Sequence, residues 1–153
     1  MIYTSYFAKV KDLPKSIVPI AICGKSPDWW DGLEYKTLAP KWEFFKLWKY
    51  ENRDNEYYII NYYNKVLCRL RPDGVVKQLQ ELAGGKDKDI ALICYEKPGE
   101  FCHRNIVREW LKEFGYKVEE YVFLKDALKK LLEEPPMYVG ETLMAFDKTS
   151  ETK

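Results

Sequence analysis

The chain of 153 residues has neither a long apolar stretch nor an excess of one charge. No stretch approaches 18 consecutive apolar residues, so the sequence predicts no membrane-spanning helix and no membrane partner. An excess of one charge is also missing, because 25 lysines and arginines stand against 24 aspartates and glutamates, for a net charge of +1. This balance gives no overall attraction to nucleic acid or to an anionic membrane, although a local patch is compatible with it.

A secretory signal is missing as well. The first ten residues, MIYTSYFAKV, have no basic segment followed by an apolar one, unlike a signal peptide. The chain has four cysteines, enough for two disulfides: Cys23, Cys68, Cys94 and Cys102. Without a secretory signal we expect a cytoplasmic protein whose cysteines are free thiols.

The apolar pattern indicates an order of strands and helices, with no internal repeat. Strands are predicted at residues 2–7, 16–23, 89–96 and 116–123, and helices at residues 39–50, 56–70, 72–83, 102–115 and 124–134. The apolar run in DIALICYE, residues 89–96, is typical of a central parallel strand. This order predicts a three-layer α/β domain with a mostly parallel sheet over residues 1–146, followed by a polar, mobile tail at residues 147–153.

Helical spacing predicts which side chains face the core. The helix at residues 72–83 is expected to direct four aliphatic side chains inward: Val75, Val76, Leu79 and Leu82. In the helix at residues 39–50, three aromatic side chains recur at helical intervals: Trp42, Phe45 and Trp48. This spacing favours packing in the core over an exposed surface.

The stretch CYEKPGEFCHR, residues 94–104, concentrates reactive side chains, including the only histidine of the chain. It connects the carboxyl end of a predicted central strand to the amino end of a helix, where open α/β sheets bind their ligands. A helix start suits an anion or a thiolate. We therefore expect the pKa of Cys102 to lie below the free value of about 8.5. The negative charges of Glu96 and Glu100 are expected to raise the pKa of Cys102.

The same residues are also compatible with a purely structural role. Cys94, at the end of an apolar strand, is typical of a core position. Pro98 and Gly99 form an ordinary turn sequence. Neighbouring residues on a helix point about 100° apart, which disfavours His103 as a base toward Cys102.

The segment LICYEKPGEFCHRNIVREWL resembles the signature of the family called domain of unknown function 488. In that signature an apolar strand ends in Cys-x-Glu, and Cys-His-Arg opens the following helix. IYTSYFAKV, IAICGKSPDWW and LEYKTLAPKW are also similar to one branch of the family, so the resemblance covers about residues 2–119. It implies a Rossmann-like fold and, by position, a set of functional residues: Ser5, Lys25, Cys94, Glu96, Cys102, His103 and Arg104. Cys23 is not associated with the pattern.

The first functional hypothesis is an enzyme acting on a small anionic or nucleotide-like ligand at the strand ends. Cys102 would be the nucleophile or redox thiol, with Glu96 or His103 as the proton carrier. Arg104 and the helix start would hold the anionic group, and Lys25 would approach from the second strand. The sequence identifies no cofactor.

Two alternative hypotheses assign the chain to other functional classes, a metal site and a nucleic-acid-binding module. Cys94, Cys102 and His103, with or without Cys23, offer soft ligands for zinc or iron, but seven residues between the two cysteines match no common zinc signature. A single-stranded nucleic-acid module is suggested by twelve aromatic residues between positions 29 and 63. It is not favoured, because residues 24–54 carry six basic and six acidic side chains.

Overall fold

The computed structural model describes residues 1–133 of the chain. Contacts divide the chain into two compact units, Met1–Tyr121 and Val122–Lys153. The extent of a single domain over residues 1–146 stays a prediction, and the polar tail at residues 147–153 lies outside the described residues. Among residues 1–133, no helix is both long and apolar enough to cross a bilayer.

The first unit is built on a parallel sheet of five short strands. They are β1 (Ile2–Tyr6), β2 (Ile17–Ala21), β3 (Leu33–Glu34), β4 (Asp89–Cys94) and β5 (Val118–Glu120). The strand order is β3-β2-β4-β1-β5, and every neighbouring pair is parallel. The prediction of a mostly parallel α/β sheet is confirmed. No strand is predicted at β3, because its two residues are too few to form an apolar run.

Helices flank this sheet in a three-layer, Rossmann-like arrangement. They are α1 (Trp42–Tyr50), α2 (Asn55–Lys65), α3 (Pro72–Ala83) and α4 (His103–Glu113). The second unit, described by itself, contains the helix α5 (Leu124–Glu133). α3 has its predicted bounds, because Pro72 opens it and Gly84 closes it at φ 104°, a conformation that glycine tolerates. The helix predicted at residues 56–70 is shorter, because Val66 leaves helical geometry (φ −122°, ψ −69°) and a 3-10 turn follows.

The core lies around β4, which is paired on both sides and buried along nearly its whole length. On α3, Val75, Val76 and Leu79 are buried as predicted, whereas Leu82 is 38% exposed. The predicted inward position of Leu82 is therefore wrong. It lies at the last turn of α3, one residue before the terminal Ala83.

The predicted core face of α1 is correct only in part, because Phe45 and Trp48 pack against the core cluster whereas Trp42 does not. Phe44 is fully buried, while Trp42 is 60% exposed and Phe45 and Trp48 are half-buried. α1 carries large apolar side chains at most of its positions, so spacing alone does not select the buried face. Trp42 is therefore available to form a surface, with the ring of Phe45 beside it at 6.0 Å between ring centres.

Truncation of two leucines on α3 tests this assignment of core and surface. Leu79→Ala removes a fully buried side chain and is expected to lower the free energy of unfolding by about 2–5 kcal/mol. Leu82→Ala, the matched control on the same helix, is expected to cost less than about 1 kcal/mol. Urea denaturation measures both, and equal losses would contradict the described face.

Candidate functional site

A cavity of about 840 Å³ lies at the carboxyl end of β4 and the amino end of α4. Its wall is strongly aromatic, with seven ring side chains: Trp42, Phe45, Trp48, Tyr50, Tyr58, Tyr95 and Phe101. The ionisable side chains on its wall include Cys23, Lys25, Lys49, Cys94, Glu96, Cys102 and His103. The structure thus brings five of the seven sequence-predicted site residues to one cavity.

Cys102 occupies the N-cap position of α4 and is almost fully buried. Its backbone is extended, with φ −154° and ψ 143°, and its side chain caps no backbone N–H. Its carbonyl oxygen accepts from the backbone N–H of Asn105 at 3.1 Å, which anchors the first turn. The helix therefore uses the backbone of Cys102 and leaves its sulfur for other contacts.

Three side chains form a Cys–Cys–His cluster, consisting of Cys94, Cys102 and His103. Their Sγ and ring nitrogen atoms all lie within 4.8 Å of one another, and all three residues are buried. Cys94 Sγ lies 3.6 Å from His103 Nδ1 and 3.4 Å from Glu96 Oε2. Cys94 thus belongs to the core, as expected for the end of an apolar strand, and also contacts the site.

The position of His103 differs from the sequence-based expectation. The 100° separation of neighbouring residues holds inside a helix, whereas Cys102 is extended and only His103 is helical. This geometry brings a ring nitrogen of His103 near Cys102 Sγ. His103 is therefore close enough to both sulfurs to influence their protonation.

The tautomer of His103 follows from its second contact. Nε2 lies 2.9 Å from the carbonyl oxygen of Ile22, which only accepts hydrogen bonds. Nε2 must therefore carry a hydrogen and donate. In the neutral ring the lone pair is then on Nδ1, the nitrogen near Cys94 Sγ.

Protons are distributed unequally in the cluster. Interaction with the Cys94 thiol, and then with His103, lowers the pKa of Cys102, against the effect of burial. The same interaction with Cys102, together with burial, raises the pKa of Cys94. Burial and the charge of Cys102 raise the pKa of Glu96. The direction at Cys102 agrees with the sequence-based expectation, although its cause is mainly the neighbouring side chains.

Lys25 and Lys49 are the two lysines on the cavity wall. The Lys25 backbone carbonyl accepts a hydrogen bond from the Tyr95 hydroxyl, which ties the loop after β2 to the end of β4. Within residues 1–133 the Lys25 ammonium forms no ion pair. Lys49 Nζ lies 5.7 Å from the ring centre of Phe45 and 5.6 Å from that of Tyr50.

Arg104 is not among the residues of the cavity wall and is fully buried behind it. Its Nε and Nη2 donate to the two carboxylate oxygens of Glu120 at 3.1 and 3.2 Å, and its Nη1 donates to the Glu96 carbonyl. Its guanidinium lies 5.7 Å from the ring centre of Tyr6. The expected direct contact between Arg104 and a ligand has no support in this placement, because the guanidinium is already paired.

Ser5 is likewise not on the cavity wall. It lies on β1 in register with Ile93, fully buried, and its Oγ has no hydrogen-bond partner in the described residues. Its role in ligand binding stays a prediction. Sequence reasoning missed the aromatic wall from α1 as part of the site, although the density of tryptophan and phenylalanine there was the available signal.

The fold and the site together define a Rossmann-like α/β protein with a Cys–Cys–His cluster at the strand ends. A family model described as the active DUF488-N3 subclade matches residues 9–115. The chain belongs to the DUF488 family, which confirms the resemblance seen in its sequence. No curated protein and no solved structure matched the chain.

The ion pair behind the site gives a stability prediction. Glu120→Gln removes the charge that compensates the buried Arg104 and is expected to lower the free energy of unfolding by about 3 kcal/mol. Glu109→Gln, at an exposed pair with Arg108, is expected to cost less than about 1 kcal/mol. Urea denaturation measures both variants, and similar small losses would show that the Arg104 pair is dispensable.

Proposed function

We propose that this protein is an enzyme that binds a small anionic or nucleotide-like ligand in the cavity and uses Cys102 as its nucleophile. One observation carries the proposal: Cys102 lines a large cavity with its sulfur free of any capping role, beside Cys94, Glu96 and His103. A thiolate at the start of a helix is stabilised by the helix end. The description of the matched subclade as active also supports an enzyme.

The proposed reaction is a displacement through a covalent intermediate. Cys102 enters the reaction as a thiolate, with His103 beside it, and the thiolate sulfur forms a bond to an electrophilic atom of the ligand. The leaving group departs with the electron pair of the broken bond and takes a proton from the Glu96 carboxyl. Water then gives a proton to the Glu96 carboxylate, and its oxygen displaces Cys102 from the intermediate.

Glu96 suits the role of proton carrier in this scheme. It lines the cavity, and its raised pKa means that it keeps a proton to higher pH than an exposed carboxyl does. Arg104 holds the Glu96 carbonyl from behind, so it is a positioning residue in the proposal. Cys94 keeps its proton and stabilises the neighbouring thiolate.

The expected partner is the small ligand itself. We do not favour a nucleic-acid chain, because the region from residue 24 to residue 54 balances its basic and acidic side chains. A cytoplasmic location also stays a prediction. The expected partner and the expected location both follow from the sequence alone.

A catalytic metal centre is the second candidate. Zinc held at about 2.3 Å from sulfur and about 2.0 Å from nitrogen in tetrahedral geometry places the two atoms about 3.5 Å apart. The observed distance from Cys94 Sγ to His103 Nδ1 is 3.6 Å. Cys94, Cys102 and His103 would supply three ligands, leaving the fourth position for a water that the metal acidifies.

Alkylation with iodoacetamide tests the thiol proposal, with each cysteine followed by peptide mass spectrometry across pH. We expect Cys102 to react well below the ordinary thiol pKa of about 8.5 without a chelator. Cys94→Ala removes the main interaction that lowers the pKa of Cys102, so the midpoint should move to higher pH. At low pH the rate should then fall about tenfold. The exposed Cys68 is the internal reference, and a silent Cys102 contradicts the proposal.

Chelation separates the two candidates. If the metal centre is present, Cys94 and Cys102 should react only after chelator treatment, because metal-bound thiolates are masked. Reconstitution should then give one zinc per chain in the parent protein and in Cys68→Ser, but not in His103→Gln. Zinc binding that survives His103→Gln would contradict the metal centre.

A further inference from the structure

We infer that the ligand of this cavity is a mononucleotide, with its base stacked on the aromatic wall and its phosphate bound by Lys25 and Lys49. The inference rests on the proposed function and gives its ligand a chemical class. Two properties of the wall carry it: exposed rings, and ammonium groups that outnumber the carboxylates.

The rings on α1 present an unusual amount of exposed aromatic surface. Trp42 and Tyr50 are 60% and 67% exposed, line the same cavity and lie 6.4 Å apart between ring centres. Behind them, Phe45 and Trp48 are half-buried and packed against Tyr58, so the wall rests on the core. Tryptophan and tyrosine surfaces held in this way are the platforms on which nucleic-acid bases stack.

The charges on the cavity wall favour a ligand that has an anionic group in addition to a base. Two lysines, Lys25 and Lys49, lie on the wall together with one carboxyl, Glu96. The Lys25 ammonium has no ion pair within the described residues. Lys49 is held beside the rings of Phe45 and Tyr50. A phosphate bound there gains two cations close to a stacking surface.

The dimensions favour a single nucleotide over a polymer. The cavity volume of about 840 Å³ is within the range for small-molecule sites. A polymer needs a basic track along its backbone. On α1 the exposed Lys46 and Lys49 are accompanied by Glu43, and Glu51 follows directly, so no uninterrupted basic track runs along this helix.

Isothermal titration calorimetry on the full chain tests the inference with four nucleoside 5′-monophosphates. For the tightest of them, the matching nucleoside and ribose 5-phosphate are titrated separately. We expect the nucleotide to bind at least about tenfold more tightly than either fragment, because it uses both subsites. Failure of all four nucleotides to bind overturns the inference.

Two variants divide the binding between the subsites. Trp42→Ala should weaken the nucleotide and the nucleoside by about tenfold and leave ribose 5-phosphate unchanged. Lys49→Gln should weaken the nucleotide and ribose 5-phosphate and leave the nucleoside unchanged. The controls are Trp29→Ala, an exposed tryptophan that does not line the cavity, and Lys46→Gln, on α1 but not on the cavity wall. Equal effects of a variant and its control overturn the subsite assignment.

Titration with a single-stranded oligonucleotide and alkylation of Cys102, added to the calorimetry, distinguish a failure of this inference from a failure of the proposed function. If a single-stranded oligonucleotide binds and no mononucleotide does, the ligand class is wrong and a polymer replaces it. If no nucleotide binds but Cys102 still alkylates at low pH, the ligand class is wrong and the thiol proposal stands. If a nucleotide binds and protects Cys102 from alkylation, both stand.

Discussion

The buried guanidinium of Arg104 is the constraint on which the geometry of the site depends. It joins the carboxylate of Glu120 on β5 to the backbone of Glu96 after β4, and it belongs to the first turn of α4. A charge buried in this way is stable only while its partners stay in place. The pair therefore fixes the loop that carries Glu96 relative to the helix start that carries Cys102 and His103. Arg104, whose contact with a ligand stays a prediction, thus joins the two parts of the chain that carry the site.

Within the geometry that Arg104 fixes, the chemistry of the Cys–Cys–His cluster depends on how close its ionisable side chains lie to one another. Two thiols, an imidazole and a carboxyl share a buried space, and they do not all ionise at the same pH. The contact with the Ile22 carbonyl leaves Nδ1 of His103 directed at the sulfurs. These contacts lower the pKa of Cys102 and raise the pKa values of Cys94 and Glu96. The arrangement suits a nucleophile with a proton donor beside it, and its ligand atoms also match those of a metal centre.

Sequence reasoning reached the fold because its strongest signals were local. The continuous apolar run of β4 and the proline and glycine that bound α3 predict those elements directly. It missed β3, which has two residues, and it assigned Trp42 to the core because α1 is apolar on several sides. The contact between His103 and the sulfurs depends on the extended backbone of Cys102, and the pairing of Arg104 depends on Glu120 from a distant strand. No local pattern encodes either contact.

The most direct test of the account is the charge on Cys102 in the intact protein. Thiolate absorbance in the ultraviolet is measured across pH, with chelator present, for the parent chain and for Cys102→Ser. The account predicts that the parent protein carries one thiolate well below the ordinary thiol pKa of about 8.5 and that Cys102→Ser loses it. If the two absorbance curves coincide below that pKa, Cys102 is an ordinary buried thiol and the proposed function is wrong.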